Sequence, residues 1–197
     1  MVDPSVFDRV LRDYSKVASW AIWANESTSP KSGVGDLSIL DPFVNPTLLH
    51  TCHTDYVLIG LNLSRPVDRP LGNFHDPRPQ ATDFKLRSAL TGTRLWGAYM
   101  TDLIKGKVDP NASSIRRVLR EDPRIEHASM DELAQELTSI GASHATLVAI
   151  GRDAECLLRR QFGTARKIIG IPHYATFGAR HTYRNQVWGA LQHHELG

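Results

Sequence analysis

Tyr56-Val-Leu-Ile-Gly-Leu-Asn-Leu-Ser64 is the stretch that decides the fold. Val57, Leu58 and Ile59 form a continuous apolar run of strand length, preceded by polar Thr54 and Asp55. Unbroken apolarity suits a strand covered on both faces, as in a parallel α/β sheet. Gly60 then lets the backbone turn or approach a ligand closely. Asn62 and Ser64 stand just past the carboxyl end of the strand, where open α/β sheets bind their ligands.

Working outward, Gly97-Ala-Tyr-Met-Thr-Asp-Leu-Ile104, residues 146–150 and Lys167-Ile-Ile-Gly-Ile171 read as three further strands. Helical segments are expected over 83–90, 113–120, 129–140, 153–162 and 182–192, the third opened by the capping box Ser129-Met-Asp-Glu132. Strands alternating with helices imply an α/β fold of three layers, with a four-stranded, mostly parallel sheet and helices on both faces. Before the central strand, Asp3-Pro4 resembles an N-cap with proline in the first turn. Val6, Phe7, Val10, Leu11, Tyr14, Val17, Ala18 and Ala21 recur at helical spacing, which predicts a helix over 4–23. Residues 25–47 are a Ser/Gly/Pro-rich loop with Leu37 to Leu40 its apolar island, and 65–82 is a second irregular stretch broken by prolines. The expected organisation is an N-terminal helix and loop, 1–50, packed on an α/β domain, 51–197.

The 197 residues, 41% of them hydrophobic, suffice for one domain with a sizeable core. No apolar run approaches a membrane span, and Met1-Val-Asp-Pro lacks the basic start and apolar stretch of a signal peptide. Cys52 and Cys156 cannot form a disulfide framework, so a cytoplasmic location is expected. His50, Cys52 and His53 match no standard ligand spacing, and neither metal nor cofactor is expected. A net charge of +2 names no partner. Its distribution says more: residues 152–187 carry six arginines and one lysine against two acids, a basic face able to meet phosphates or simply a solvated helical surface.

Each candidate site residue has a structural and a chemical reading. Asn62 either holds a turn through its own backbone or positions a water or polar substrate atom. His173, after Pro172 at the end of another strand, either satisfies local polar groups or donates to charge developing on a leaving group. Phe74 and His75 lie in a loop that should cover the same rim, where an aromatic stacks a planar base or anchors the loop. Asp102 accepts hydrogen bonds from a ligand, caps the next segment of chain, or pairs with Lys105. Gly151-Arg-Asp-Ala154 is a strand-to-helix turn able to meet phosphate.

The order of these pieces resembles the uracil-DNA glycosylase superfamily, over roughly residues 55 to 190. Gly60-Leu-Asn-Leu-Ser64 is similar to the G-x-N-P-S motif of its mismatch-specific branch, in which the asparagine positions the attacking water. Phe74 falls where the family carries a stacking aromatic. Tyr99-Met-Thr-Asp-Leu-Ile-Lys105 is similar to the Y-x-T-N strand of the thermostable branch, with Asp102 on the base-reading asparagine. Val148-Ala-Ile-Gly-Arg-Asp-Ala154 resembles the third strand and turn. His173 matches the histidine of the last motif, H-P-S, and Phe177 falls where its leucine wedge lies. Leu63 and Tyr174-Ala175 depart from those motifs, and the iron–sulfur cysteines of the thermostable branch are absent.

The resemblance implies a monomeric, cytoplasmic base-excision hydrolase acting on DNA, with no membrane partner. Asn62 and His173 would be catalytic, with Gly60, Leu61, Ser64, Phe74 and Asp102 around the base. Phe177 would fill the gap left by a flipped base, and Arg180 and Arg184 would hold phosphates. An ionised carboxylate only accepts hydrogen bonds, so either Asp102 is protonated or the base is not uracil. The alternatives are a non-catalytic module that senses a modified base and a hydrolase of free nucleosides or small glycosides.

Overall fold

The computed structural model describes residues 1–195, so Leu196 and Gly197 lie outside the described residues. Five strands form one sheet: β1 (Ala18–Trp20), β2 (His53–Asn62), β3 (Ala98–Ile104), β4 (Thr146–Ile150) and β5 (Ile168–Ile171), in the order β1-β3-β2-β4-β5. β2 to β5 run parallel, and β1 adds antiparallel to the β3 edge. The sheet is therefore mostly parallel with five strands rather than four.

The fifth strand corrects the reading of the N-terminus. Asp3 caps a short helix, α1 (Pro4–Arg9), by accepting from Ser5 N, and the chain continues as one π-helical turn to Tyr14 before leaving helical geometry. Residues 18–23 are buried without a break, which one face of a surface helix cannot provide. Trp20 stacks on Phe7 and meets Tyr99 edge-on at 5.3 Å. A strand paired to β3 gives Ala18, Ser19 and Trp20 the backbone partners that such burial demands.

The remaining helices are α2 (Leu48–Thr51), α3 (Asp83–Leu90), α4 (Ala112–Glu121), α5 (Pro123–Ser139), α6 (Arg152–Phe162) and α7 (Arg180–Glu195). The capping box at Ser129 lies inside α5, because Asp122-Pro123 opens that helix six residues earlier: Asp122 accepts from Arg124 N and Pro123 occupies the first turn.

The apolar run of β2 divides between two cores. Val57, Ile59 and Leu61 pack with Leu133 and Leu137 of α5 and Leu158 of α6, whereas Leu58 packs with Leu86 of α3 and Val187 of α7. Helices thus cover both faces, and the continuous apolarity of β2 follows from that burial. The chain passes from β2 to β3 on one side and then returns to β4 on the other. This reversal opens a crevice at the carboxyl ends of the parallel strands.

Candidate active site

That crevice is a cleft of about 450 Å³. Gly60, Leu61, Asn62 and Ser64 enter it from the end of β2, Asp102 from β3, Gly151 from the end of β4, and His173 and Tyr174 from beyond β5. Phe74 comes from the long β2–α3 connection. The seven positions expected to touch water or base, Gly60, Leu61, Asn62, Ser64, Phe74, Asp102 and His173, therefore share one cavity. Phe177, Arg180 and Arg184 lie outside it.

The Asn62 amide has a fixed orientation. Its Nδ2 donates to the carbonyl oxygens of Leu63 (2.9 Å), Lys107 (3.3 Å) and Asp109 (2.8 Å). These bonds tie the end of β2 to the β3–α4 loop, so Asn62 does hold backbone. They also commit its nitrogen, and among the described residues no donor reaches Oδ1. The acceptor end is what a ligand or water meets.

His173 is held in one tautomer. Its Nδ1 accepts from Ala175 N at 3.1 Å, which leaves the ring proton on Nε2. Desolvation by the surrounding protein lowers its pKa, so the neutral donor form prevails even though the ring keeps solvent access at the rim. The ring stacks on Tyr174 at 4.5 Å. Its edge also lies 3.5 Å from where a side chain on Gly151 would begin, and Gly151 at φ +92 permits that approach.

Asp102 is 3% exposed. Its Oδ2 accepts from Asn73 Nδ2 at 2.8 Å, and Lys105 Nζ donates to its main-chain oxygen at 2.6 Å. Among the described residues no donor reaches Oδ1. That oxygen lies 2.2 Å from where a Gly60 Cβ would stand, with the Phe74 ring edge at 3.4 Å, so only glycine fits opposite it. Burial raises its pKa to about 6, against the opposing pull of the Asn73 bond and the Lys105 charge.

The loop that carries Phe74 is strained and heavily anchored. Leu71 and Phe74 have φ of 58 and 63, a region that disfavours side chains other than those of glycine and asparagine. Trp23 Nε1 donates to Phe74 O, and Asn73 donates to Val17 O and accepts from Phe74 N. His75, expected to cover the rim, is instead 1% exposed and serves as scaffold. It stacks on Trp23 at 5.0 Å, with its ring nitrogens against Ile22 O and Asn73 O.

Sequence reasoning missed three residues here. Asn73 orients the Asp102 carboxyl. Asp83, in the first turn of α3, is buried with its pKa raised to about 7, its own backbone N–H and Arg65 acting against that rise. Tyr174 is held protonated by burial and by the nearby charges of Asp83 and Asp102. Nothing local marks Asp83, because an acid in a first turn is an ordinary partner of the helix dipole.

Three helix N-termini open on the cleft without a side-chain cap, at Thr82, Asn111 and Gly151. At α3 the first N–H already serves the Asp83 carboxyl, and the N–H groups opening α4 and α6 favour negative charge. Five aspartates against three arginines oppose them in the lining, and Arg65 and Arg78 are both spent on Asp76. For Asp76, burial would raise the pKa, but the bonds and charges of Arg78 and Arg65 hold it below the ordinary carboxylate value.

No family model, characterised protein or solved structure matches this chain. The site therefore has to be read from its own chemistry. Among the described residues no group of three His, Cys, Asp or Glu side chains could hold a metal ion, and no helix is long and apolar enough to cross a membrane.

Outside the cleft, Phe177 is fully exposed on the β5–α7 loop. Arg180 opens α7 and pairs with Glu26, and Arg184 lies over the Trp188 ring at 4.5 Å. Both arginines border a separate hollow of about 350 Å³ beside Trp23 and Trp96.

Proposed function

We propose that this chain is a uracil-DNA glycosylase-like protein that binds a flipped nucleobase and hydrolyses its N-glycosidic bond in DNA. The observation that carries this reading is the Asn62 amide, its nitrogen committed to three carbonyl oxygens and its oxygen left to the cleft. Asn62 Oδ1 accepts a hydrogen bond from a water and aims its lone pair at the anomeric carbon. As the water oxygen bonds that carbon, the electron pair of the carbon–nitrogen bond leaves with the base. His173 Nε2–H donates to the departing base, and the uncapped helix ends stabilise its negative charge. The base then takes a proton and the water loses one, leaving an abasic sugar. Phe74 stacks on the base, and Phe177 fills the gap in the duplex.

The test is release of bases from single- and double-stranded oligonucleotides carrying damaged or modified bases, read by alkali cleavage and mass spectrometry. Asn62→Ala should reduce release about a hundredfold or more because it removes the water's partner, and persistent binding with an unchanged melting curve should show that the backbone ties lost with its nitrogen leave the cleft intact. Equal turnover in the variant removes the assignment. Tight, salt-sensitive binding without release from any substrate makes the protein a sensing module.

A second reading is supported by the acid-rich lining, which suits a ligand without phosphates: a hydrolase of free nucleosides. It requires turnover of nucleosides and a flat salt dependence of DNA binding, whereas phosphate contacts give a steep one.

A further inference from the structure

Asp102 carries the inference, because its two oxygens have different fates. Asn73 is fully committed: one N–H goes to Val17 O, the other to Asp102 Oδ2, and its own oxygen accepts from Phe74 N. Val17 O can only accept, so the amide cannot be reversed. Oδ2 is thereby fixed as a filled acceptor. Oδ1 accepts from no donor among the described residues and lies against the Gly60 backbone with the tip of the Phe74 ring close by, where a planar ring resting on Phe74 would bring its edge. A carboxylate oxygen on so buried a side chain gains from a donor that reaches it through the cleft, and a carbonyl placed there adds repulsion.

We propose that the cleft selects nucleobases that present an exocyclic amino group to Asp102 Oδ1, over the deaminated counterparts in which a carbonyl takes the place of that group. Asn73 acts as the positioning residue, since it decides which carboxyl oxygen faces the ligand. The selection rests on the base-binding reading of the cleft but not on hydrolysis. It is the reverse of a site built to find deaminated bases.

The test uses three matched pairs, cytosine and uracil, adenine and hypoxanthine, guanine and xanthine, each placed once in the same single-stranded oligonucleotide. Affinity is measured at pH 8, with the Asn62→Ala protein so that cleavage does not intervene. The base bound most tightly should carry an amino group, with its deaminated partner weaker by about tenfold or more, as expected when a buried polar group is left mismatched. Asp102→Asn should reverse the order: Asn73 still requires an acceptor at the Oδ2 position, so the new amide nitrogen falls at Oδ1 and donates. Tightest binding of a deaminated base by the Asp102 protein, or equal affinities within every pair, overturns the proposal.

Base release by the Asn62-containing protein separates the two readings. Amino-group preference without release keeps the selection and removes the hydrolase. Release of carbonyl-bearing bases in preference keeps the hydrolase and removes the selection.

Discussion

Two buried acids meet strand β3, and their surroundings differ. Glu136, from α5, accepts from Tyr99 Oη at 2.8 Å and pairs with Lys105 Nζ at 2.9 Å, with side-chain exposures of 0% and 4%. Burial holds the Tyr99 phenol protonated, so it serves as a donor. Asp102 has one oxygen held by Asn73 and the other open to the cleft. In the first arrangement the charges are balanced within the protein, although Glu136 Oε2 meets Lys105 as an ion pair without a hydrogen bond. The second is unfinished in the protein alone, and an unfinished buried acid in the wall of a cleft is what ligand recognition requires.

The largest effect should come from opening the closed site. Lys105→Met leaves Glu136 buried without its cation and removes the donor to Asp102 O, and about 3–5 kcal/mol of stability should be lost in denaturant unfolding. Replacing Glu136 by methionine as well should restore most of that loss, since a well-packed apolar pair often equals a buried ion pair. A small loss in the single variant would mean that water reaches Glu136, and the contrast with Asp102 would collapse.

The open site should make itself felt through pH. An acid whose folded pKa lies above its unfolded value keeps its proton longer when folded. Its stabilising contribution is therefore complete below the ordinary value of 3.8 and declines as pH rises through about 6. For Asp102 that decline amounts to roughly 3 kcal/mol. Asp83, raised to about 7, contributes with the same sign. Asp102→Asn should flatten the Asp102 part, so the variant gains on the unmodified chain between about pH 4 and pH 7 in denaturant midpoints. Parallel curves would mean that the Asp102 carboxylate is better solvated than its burial indicates.

The same contrast explains what could be read from the sequence. The parallel strands and α3 were legible because apolar runs and helical periodicity are local, and the residues 83–90 and 146–150 match their observed elements. Asn62 and His173 were legible by position, as polar residues at the carboxyl ends of strands, although β2 runs on to Asn62 itself. Strand β1 was not, because its conformation is decided by a distant partner in the chain, Ala18 facing Thr101. Asn73 was equally hidden: its bonds reach Val17 and Asp102, 56 and 29 residues distant. The open oxygen of Asp102 depends on those contacts, so an aspartate could be noticed in sequence while its valence could not.

The smallest effects belong to the exposed basic face, where the ion pairs resemble the Lys105 pair in type but lie in water. Arg159 bonds Glu155, Arg160 bonds Glu126, and Arg180 bonds Glu26, so much of that surface is neutralised within the protein. Arg180→Ala should change stability by no more than about 1 kcal/mol, since exposed pairs contribute little. Its consequence should appear in DNA binding instead. If Arg180 takes a phosphate it must first leave Glu26, and loss of one such contact lowers the slope of log affinity against log salt by about one. Glu26→Gln removes the competitor and should tighten binding without altering base preference, because the Asp102 cleft is untouched. An unchanged slope in Arg180→Ala would take the start of α7 out of the DNA interface. The fully exposed Phe177, three residues earlier, would lose its neighbouring phosphate anchor, and the acid-rich cleft would then be better suited to a nucleoside than to a strand.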